Sequence, residues 1–163
     1  MSHRIFLTAA ALALVLPLCA SDAQDTTRTA ADSMVMVRAT AVKWGPLEVP
    51  GFKPGIEIGV IAGDPSKAGP YTLRLRFPSG YAFPAHWHPV DENLTVISGQ
   101  FYLGMGEKAD RTKMRAYAPG DYLLLPATKP HFGRVVGRTI VQLHGTGPFE
   151  IKLVEQPAGA SRQ

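Results

Sequence analysis

Cysteine is almost absent from this chain, with Cys19 alone among 163 residues, and charge is sparse, with Asp, Glu, Lys and Arg making up 18%. One thiol cannot form an intrachain disulfide, so a packed core has to hold the fold rather than covalent staples. No run of Lys and Arg stands out and the net charge of +4 is spread thinly, so the sequence pI of about 9.4 is a solubility property. The electrostatic footprint of a nucleic-acid-binding domain is missing. No apolar stretch approaches the ~20 residues that cross a bilayer. Outside the first residues, no window keeps the apolar period of a helix. What is present is a 45% hydrophobic composition, enough for one domain with a real core.

The N-terminus reads as an export signal. Met1–Arg4 is short and basic, Ile5–Leu18 is apolar but too short to span with ease, and Ser21-Asp22-Ala23 places small residues where a signal peptidase cuts. The expected organisation is a signal peptide over residues 1–23, a flexible N-terminal segment over 24–36, one domain over 37–156 and a flexible tail over 157–163. Leu18 precedes Cys19 where lipidation would require a small residue, so cleavage after Ala23 is the reading adopted. It removes the only cysteine, and loss of Arg4 and Asp22 together leaves the net charge unchanged. The expected location is periplasmic or secreted, without stable membrane insertion after processing.

From Met34 onward, short runs rich in Val, Ile, Leu and aromatics alternate with Gly and Pro: MVMVRATAV, IEIGVIAG, YTLRLRF, NLTVISG, QFYLGMG, MRAYA, DYLLLPA, TIVQLHG and FEIKLV. Turn residues recur every eight to twelve positions, which predicts an all-β sandwich or barrel. No internal repeat is visible, and a single domain is expected.

The informative stretch is Gly80–Gly99, GYAFPAHWHPVDENLTVISG. Residues two apart on a strand share a face about 7 Å apart at Cα, so His86 and His88 can converge on one ion while Trp87 faces away. Glu92 arrives across a short turn begun by Pro89. Three N and O donors this close in sequence point to a metal.

The same stretch reads Gly80, five residues, His86, one residue, His88, three residues, Glu92, six residues, Gly99, and in this it resembles the first motif of the cupin superfamily. Gly120–His131, GDYLLLPATKPH, is similar to the second motif in its spacing of glycine, proline and histidine. It departs from that motif at Thr128, where a glycine is usual, and at Val135, where an asparagine is usual. The resemblance spans roughly Val37–Leu153. It implies a single-domain double-stranded β-helix (a jelly-roll β-barrel) with His86, His88, Glu92 and His131 holding one divalent metal ion. Fe(II) is favoured, and Mn(II), Ni(II), Co(II), Cu(II) and Zn(II) suit the same donors.

Four protein ligands on a six-coordinate ion leave two positions for substrate or dioxygen, and no Ser/His/Asp set or cysteine nucleophile remains in the processed chain. The expected function is therefore an exported dioxygenase-type oxidoreductase acting on a small organic substrate. Two alternatives stand beside it. One is a non-redox isomerase or lyase in which Glu92 is the catalytic base. The other is a small-molecule-binding cupin without turnover. A cavity lined by Phe83, Leu94, Val96 and Phe132 would favour aromatic or diketone-like substrates; one lined by Arg74, Arg76 and Gln142 would favour carboxylates or sugars. Tyr102 is a further candidate for the cavity. Strand alternation places Gln142 and His144 on one polar face, either a cavity wall that orients the metal-binding imidazoles or contacts substrate, or solvent-exposed surface. A small-molecule substrate and, at most, a second copy in a homodimer are the expected partners; nucleic acid is not.

Overall fold

The computed structural model describes residues 34–154. The expected leader, most of the N-terminal segment, the tail and the last two residues of the expected domain lie outside them. The described residues build nine β-strands and two single-turn 3-10 helices, and among them no helix is long and apolar enough to cross a membrane. The strands are β1 (Gly45–Pro46), β2 (Glu57–Ala62), β3 (Gly69–Phe77), β4 (Ala82–Trp87), β5 (Glu92–Met105), β6 (Arg115–Tyr117), β7 (Tyr122–Leu125), β8 (His131–Gly147) and β9 (Lys152–Leu153).

All pairings are antiparallel, in the order β1-β2-β3-β8-β4-β9, with β5 joining β8 and carrying β6 and β7. The long strands β5 and β8 form the frame. The C-terminal part of β8 pairs with β3, and its N-terminal part pairs with β4. Likewise β5 pairs with β7 through its first residues and with β6 through its last. Their mutual register slips on both sides of Ser98, and there Gly99 adopts φ 82°. A Cβ at Gly99 would lie 2.6 Å from the Arg138 carbonyl oxygen, so only glycine lets the two strands turn this corner together. The result is a curled jelly-roll barrel, as the strand pattern predicts.

Inside, alternation brings Leu73, Leu75, Phe77, Leu94, Val96, Phe101, Leu103, Val141 and Leu143 together, each no more than 7% exposed. Burying a side chain of this size is worth about 1.5–3 kcal/mol, and these residues dominate the stability of the fold. One expected strand is not there. MVMVRATAV leads into a 3-10 turn at Ala39–Ala41, and Val35 and Met36 stay 67% and 66% exposed. The run has β propensity, but no neighbouring strand takes up its hydrogen bonds. The runs NLTVISG and QFYLGMG are one strand, β5, bent at Gly99.

Candidate metal centre

The geometry starts at Pro84. Between the pairs Phe83↔Gly133 and His86↔His131, β4 advances three residues while β8 advances two, so one extra residue bulges out of β4. Proline has no N–H to give to a ladder, and a bulge is where a strand tolerates it. The bulge reverses the parity of the strand. Phe83 lies inward before it and His86 and His88 lie inward after it, all three buried, while Trp87 faces away and is half-buried. Glu92 opens β5 opposite Leu125, and His131 opens β8.

Two hydrogen bonds hold the turns that carry these residues. The Thr128 N–H donates to the His88 carbonyl at 2.8 Å, and the Ala127 N–H donates to the Asp91 carboxylate at 2.8 Å. Thr128, the residue standing in the glycine position of the second motif, adopts φ 62°.

His86, His88, Glu92 and His131 are buried to 6% exposure or less. One ring nitrogen of each histidine lies within 4.8 Å of the others. Glu92 Oε2 is 3.3 Å from His88 Nε2 and 3.4 Å from His131 Nε2. Each imidazole is oriented from behind by a main-chain oxygen: His86 Nδ1–H donates to the Pro84 carbonyl at 2.9 Å, His88 to Glu150 at 2.6 Å and His131 to Lys129 at 3.1 Å. A carbonyl can only accept, so Nδ1 carries a proton and Nε2 is the nitrogen each ring turns to the interior.

Burial pulls the His86 pKa down to about 3, with the neighbouring His131 adding to the effect. At His88 burial also pulls down, but the Glu92 carboxylate and the Glu150 carbonyl outweigh it and the net shift is upward. Burial alone would raise the Glu92 pKa; the His131 and His88 imidazoles reverse this and hold it well below the usual carboxylate range. His88 Nε2 and Glu92 Oε2 nevertheless have no aligned hydrogen-bond partner. Two lone-pair holders at this separation require a proton or a cation between them. The three histidine nitrogens form a cluster that suits a divalent metal; Glu92 Oε2 lies beside two of them, those of His88 and His131, and falls outside the cluster itself.

Beside this cluster lies a cavity of about 30 Å³ whose lining, apart from the three histidines and Glu92, is entirely Leu, Ile, Val and Phe. Phe83 belongs to it, with its ring edge-on to His86 at 5.6 Å. Phe132 does not: neighbouring His131 in sequence, it faces the other way, and its ring lies over Gly104. Gln142 and His144 are corrected as well. Val141 and Leu143 turn inward, so Gln142 is on the outer face accepting a hydrogen bond from Arg74 at 3.1 Å, and His144 is exposed. Arg76 pairs with Glu57 at 2.7 Å, and the Tyr102 ring lies beneath the Arg134 guanidinium, so neither reaches the cavity. The partners foreseen for the imidazoles in Gln142 and His144 are instead backbone carbonyls, which carry no sequence signature. Of the foreseen apolar wall, Leu94 lines the cavity with Phe83 while Val96 does not, and most of the lining went unforeseen, Phe52 and Phe149 included. The one available signal was an aromatic residue inside the Gly- and Pro-rich segment 51–55, where turn chemistry alone asks for polar side chains.

Residues 32–150 match the family model described as the ChrR cupin-like domain. No curated protein matches the sequence. Among solved structures, the polyketide cyclase RemF from Streptomyces resistomycificus is similar with a TM-score of 0.63 and 19% identity, over 77% of this chain and 89% of that one. The DMSP lyase DddQ from Ruegeria pomeroyi has a TM-score of 0.55 and 19% identity, over 70% and 61%. KdgF from Halomonas sp. has a TM-score of 0.51 and 19% identity, over 69% and 93%. At these identities the likeness is one of fold.

Proposed function

The chain belongs to the cupin superfamily, in its ChrR cupin-like family, and on that premise we propose that it is an exported metal-dependent oxidoreductase of dioxygenase type acting on a small apolar substrate at His86, His88, Glu92 and His131. The observation that carries this reading is the cavity wall: beyond those four residues it offers only aliphatic and phenyl surface. A sugar or a carboxylate would leave polar groups unpaired there, at about 1–3 kcal/mol each. An aromatic or diketone-like molecule would not. A redox-active divalent metal, iron foremost, would supply the chemistry by bringing substrate and dioxygen to adjacent positions.

The chain's own contributions are orientation, charge and exclusion of water. The Pro84, Glu150 and Lys129 carbonyls fix the rings so that Nε2 faces the ligand position. Glu92 stays anionic and offsets part of the ion's charge. The apolar wall keeps water from competing with the substrate. Among the described residues Glu92 is also the only carboxylate lining the cavity. An isomerase or lyase would have to use it alone as the base, without the second acid–base group such reactions usually employ.

The test is to reconstitute metal-free protein separately with Fe(II), Mn(II), Ni(II) and Zn(II) and to follow O₂ consumption with catechol-like, diketone and flavonoid compounds. Oxygen-dependent turnover with Fe(II) but not Zn(II) is expected. Equal turnover with Zn(II), or turnover without oxygen, would move the assignment to an isomerase or lyase. Binding without turnover under every metal would leave a binding module. Export rests on the Met1–Ala23 pattern, and the intact mass of protein expressed with its own leader decides it.

A further inference from the structure

Resting on that reading of the site, we propose that Phe52 and Phe149 determine how large a substrate the centre admits, and that its substrates are compact apolar molecules whose larger homologues these two rings exclude. The cavity, which is partly open, holds about 30 Å³, room for roughly two water-sized spheres. A ring-sized ligand therefore enters only if lining side chains move.

Part of the lining comes from strands and part, Leu47, Phe52, Ile56, Phe149 and Ile151, from the segments between them; of the latter only Phe52 and Phe149 carry rings. Leu75, Phe77, Leu94, Phe101, Val141 and Leu143 project from β3, β5 and β8, strands whose ladders hold their backbones in place. Phe52 and Phe149 come from segments outside the strands and are half-buried. Phe52 sits in the loop Leu47–Ile56, closed at its neck by the Leu47 N–H donating to the Ile56 carbonyl at 2.9 Å, and tethered where the Tyr81 hydroxyl donates to the Lys53 carbonyl. Left-handed glycines flank the aromatic residue, Gly51 at φ 81° and Gly55 at φ 119°, and the Phe52 N–H donates to the Val49 carbonyl at 2.9 Å, so a ligand has to be admitted by rotation of the ring rather than of the loop.

Each ring meets an imidazole of the centre. Phe52 is edge-on to His86 at 5.2 Å, and Phe149 stacks on His88 at 5.3 Å with 19° between planes. Phe149 is backed by Tyr71 at 5.8 Å, and its N–H donates to the Pro65 carbonyl at 2.7 Å. The two rings thus line the cavity against two of the four proposed donors while staying half-buried, so the outer part of a larger ligand would meet them.

The test measures affinity of the metal-loaded full chain for acetylacetone and for dibenzoylmethane by calorimetry, in wild type, Phe52→Ala, Phe149→Ala and the milder Phe52→Leu, with metal affinity determined separately. Removing either ring should shift the affinity ratio toward dibenzoylmethane by at least about tenfold, with Phe52→Leu intermediate. Metal affinity should stay within about threefold, since no donor changes. An unchanged ratio in folded, metal-loaded Phe52→Ala and Phe149→Ala would overturn the proposal, as would tighter binding of dibenzoylmethane than acetylacetone by the wild type. If the wild type binds no metal, the reading of the centre fails; the size limit is then still decided by the same ratio taken between phenol and 4-phenylphenol as ligands of the metal-free cavity.

Discussion

Replacing Thr128 by glycine should stabilise the protein although it removes a side chain. Thr128 has φ 62°, the only positive value among the described residues other than glycine. An L-residue in this region is disfavoured by about 1–2 kcal/mol, because Cβ crowds the following carbonyl, and a β-branched residue is placed worst of all. Glycine removes that penalty but gives the unfolded chain more freedom, which offsets about 0.4–1 kcal/mol. The net gain is roughly 0.5–1 kcal/mol, or about 1–4 °C in midpoint for a chain of this size. The hydrogen bonds at the turn come from main-chain N–H groups, Ala127 to Asp91 and Thr128 to the His88 carbonyl, and all of them survive the substitution. The assay is thermal and urea unfolding of wild type, Thr128→Gly and Thr128→Ala. Alanine keeps the crowding Cβ and should gain much less than glycine. A lower midpoint for Thr128→Gly, or an equal gain for Thr128→Ala, would refute the assignment of strain to this residue.

Three further outcomes follow from the centre. A divalent metal added to metal-free protein at about a hundred times its Kd should raise stability by about 2.7 kcal/mol, and His131→Ala or Glu92→Ala should abolish the rise; scanning calorimetry showing no rise in the wild type would argue against the site. Metal-free protein should lose stability on acidification. His86 falls from 6.5 to about 3 in the fold, so between these values the unfolded chain binds more protons and up to about 1.4 kcal/mol is lost per pH unit. Glu92 adds its loss below its ordinary 4.5, whereas the stability from His88, raised in the fold, is full below 6.5 and is lost as pH rises through its folded value. Urea midpoints flat from pH 6.5 down to about pH 4 would contradict this, and His86→Gln should flatten the curve. Finally, a Cβ at Gly133 would meet the Phe83 ring and the Tyr102 carbonyl. Gly133→Ala should therefore cost about 1–3 kcal/mol by overpacking and push Phe83 toward His86, seen as a lower midpoint and weaker metal binding; a neutral result would show that the ring has room to move.

Much of the protein was legible before folding is considered. Short runs punctuated by Gly and Pro determined an all-β barrel, because an amphipathic strand has a period of two and turns need particular backbone angles. His86, His88 and Glu92 lie so close along the chain that local geometry brings their side chains near one another, and the spacing to His131 marked the turn that returns to them. Tertiary structure alone decided the rest. Alternation divides Thr139–Gly145 into two faces but does not say which faces in, so Gln142 and His144 were placed only when β8 packed Val141 and Leu143 into the core. Phe132 was lost from the cavity by the same parity, and the bulge at Pro84 put Phe83 on the histidine side, because a one-residue slip moves every later side chain to the other face. The Glu150 carbonyl behind His88 lies 62 residues away in sequence, and the rings of Phe52 and Phe149 come from loops. A main-chain oxygen is the same in every residue, and where a loop lands depends on what the whole sheet has already enclosed.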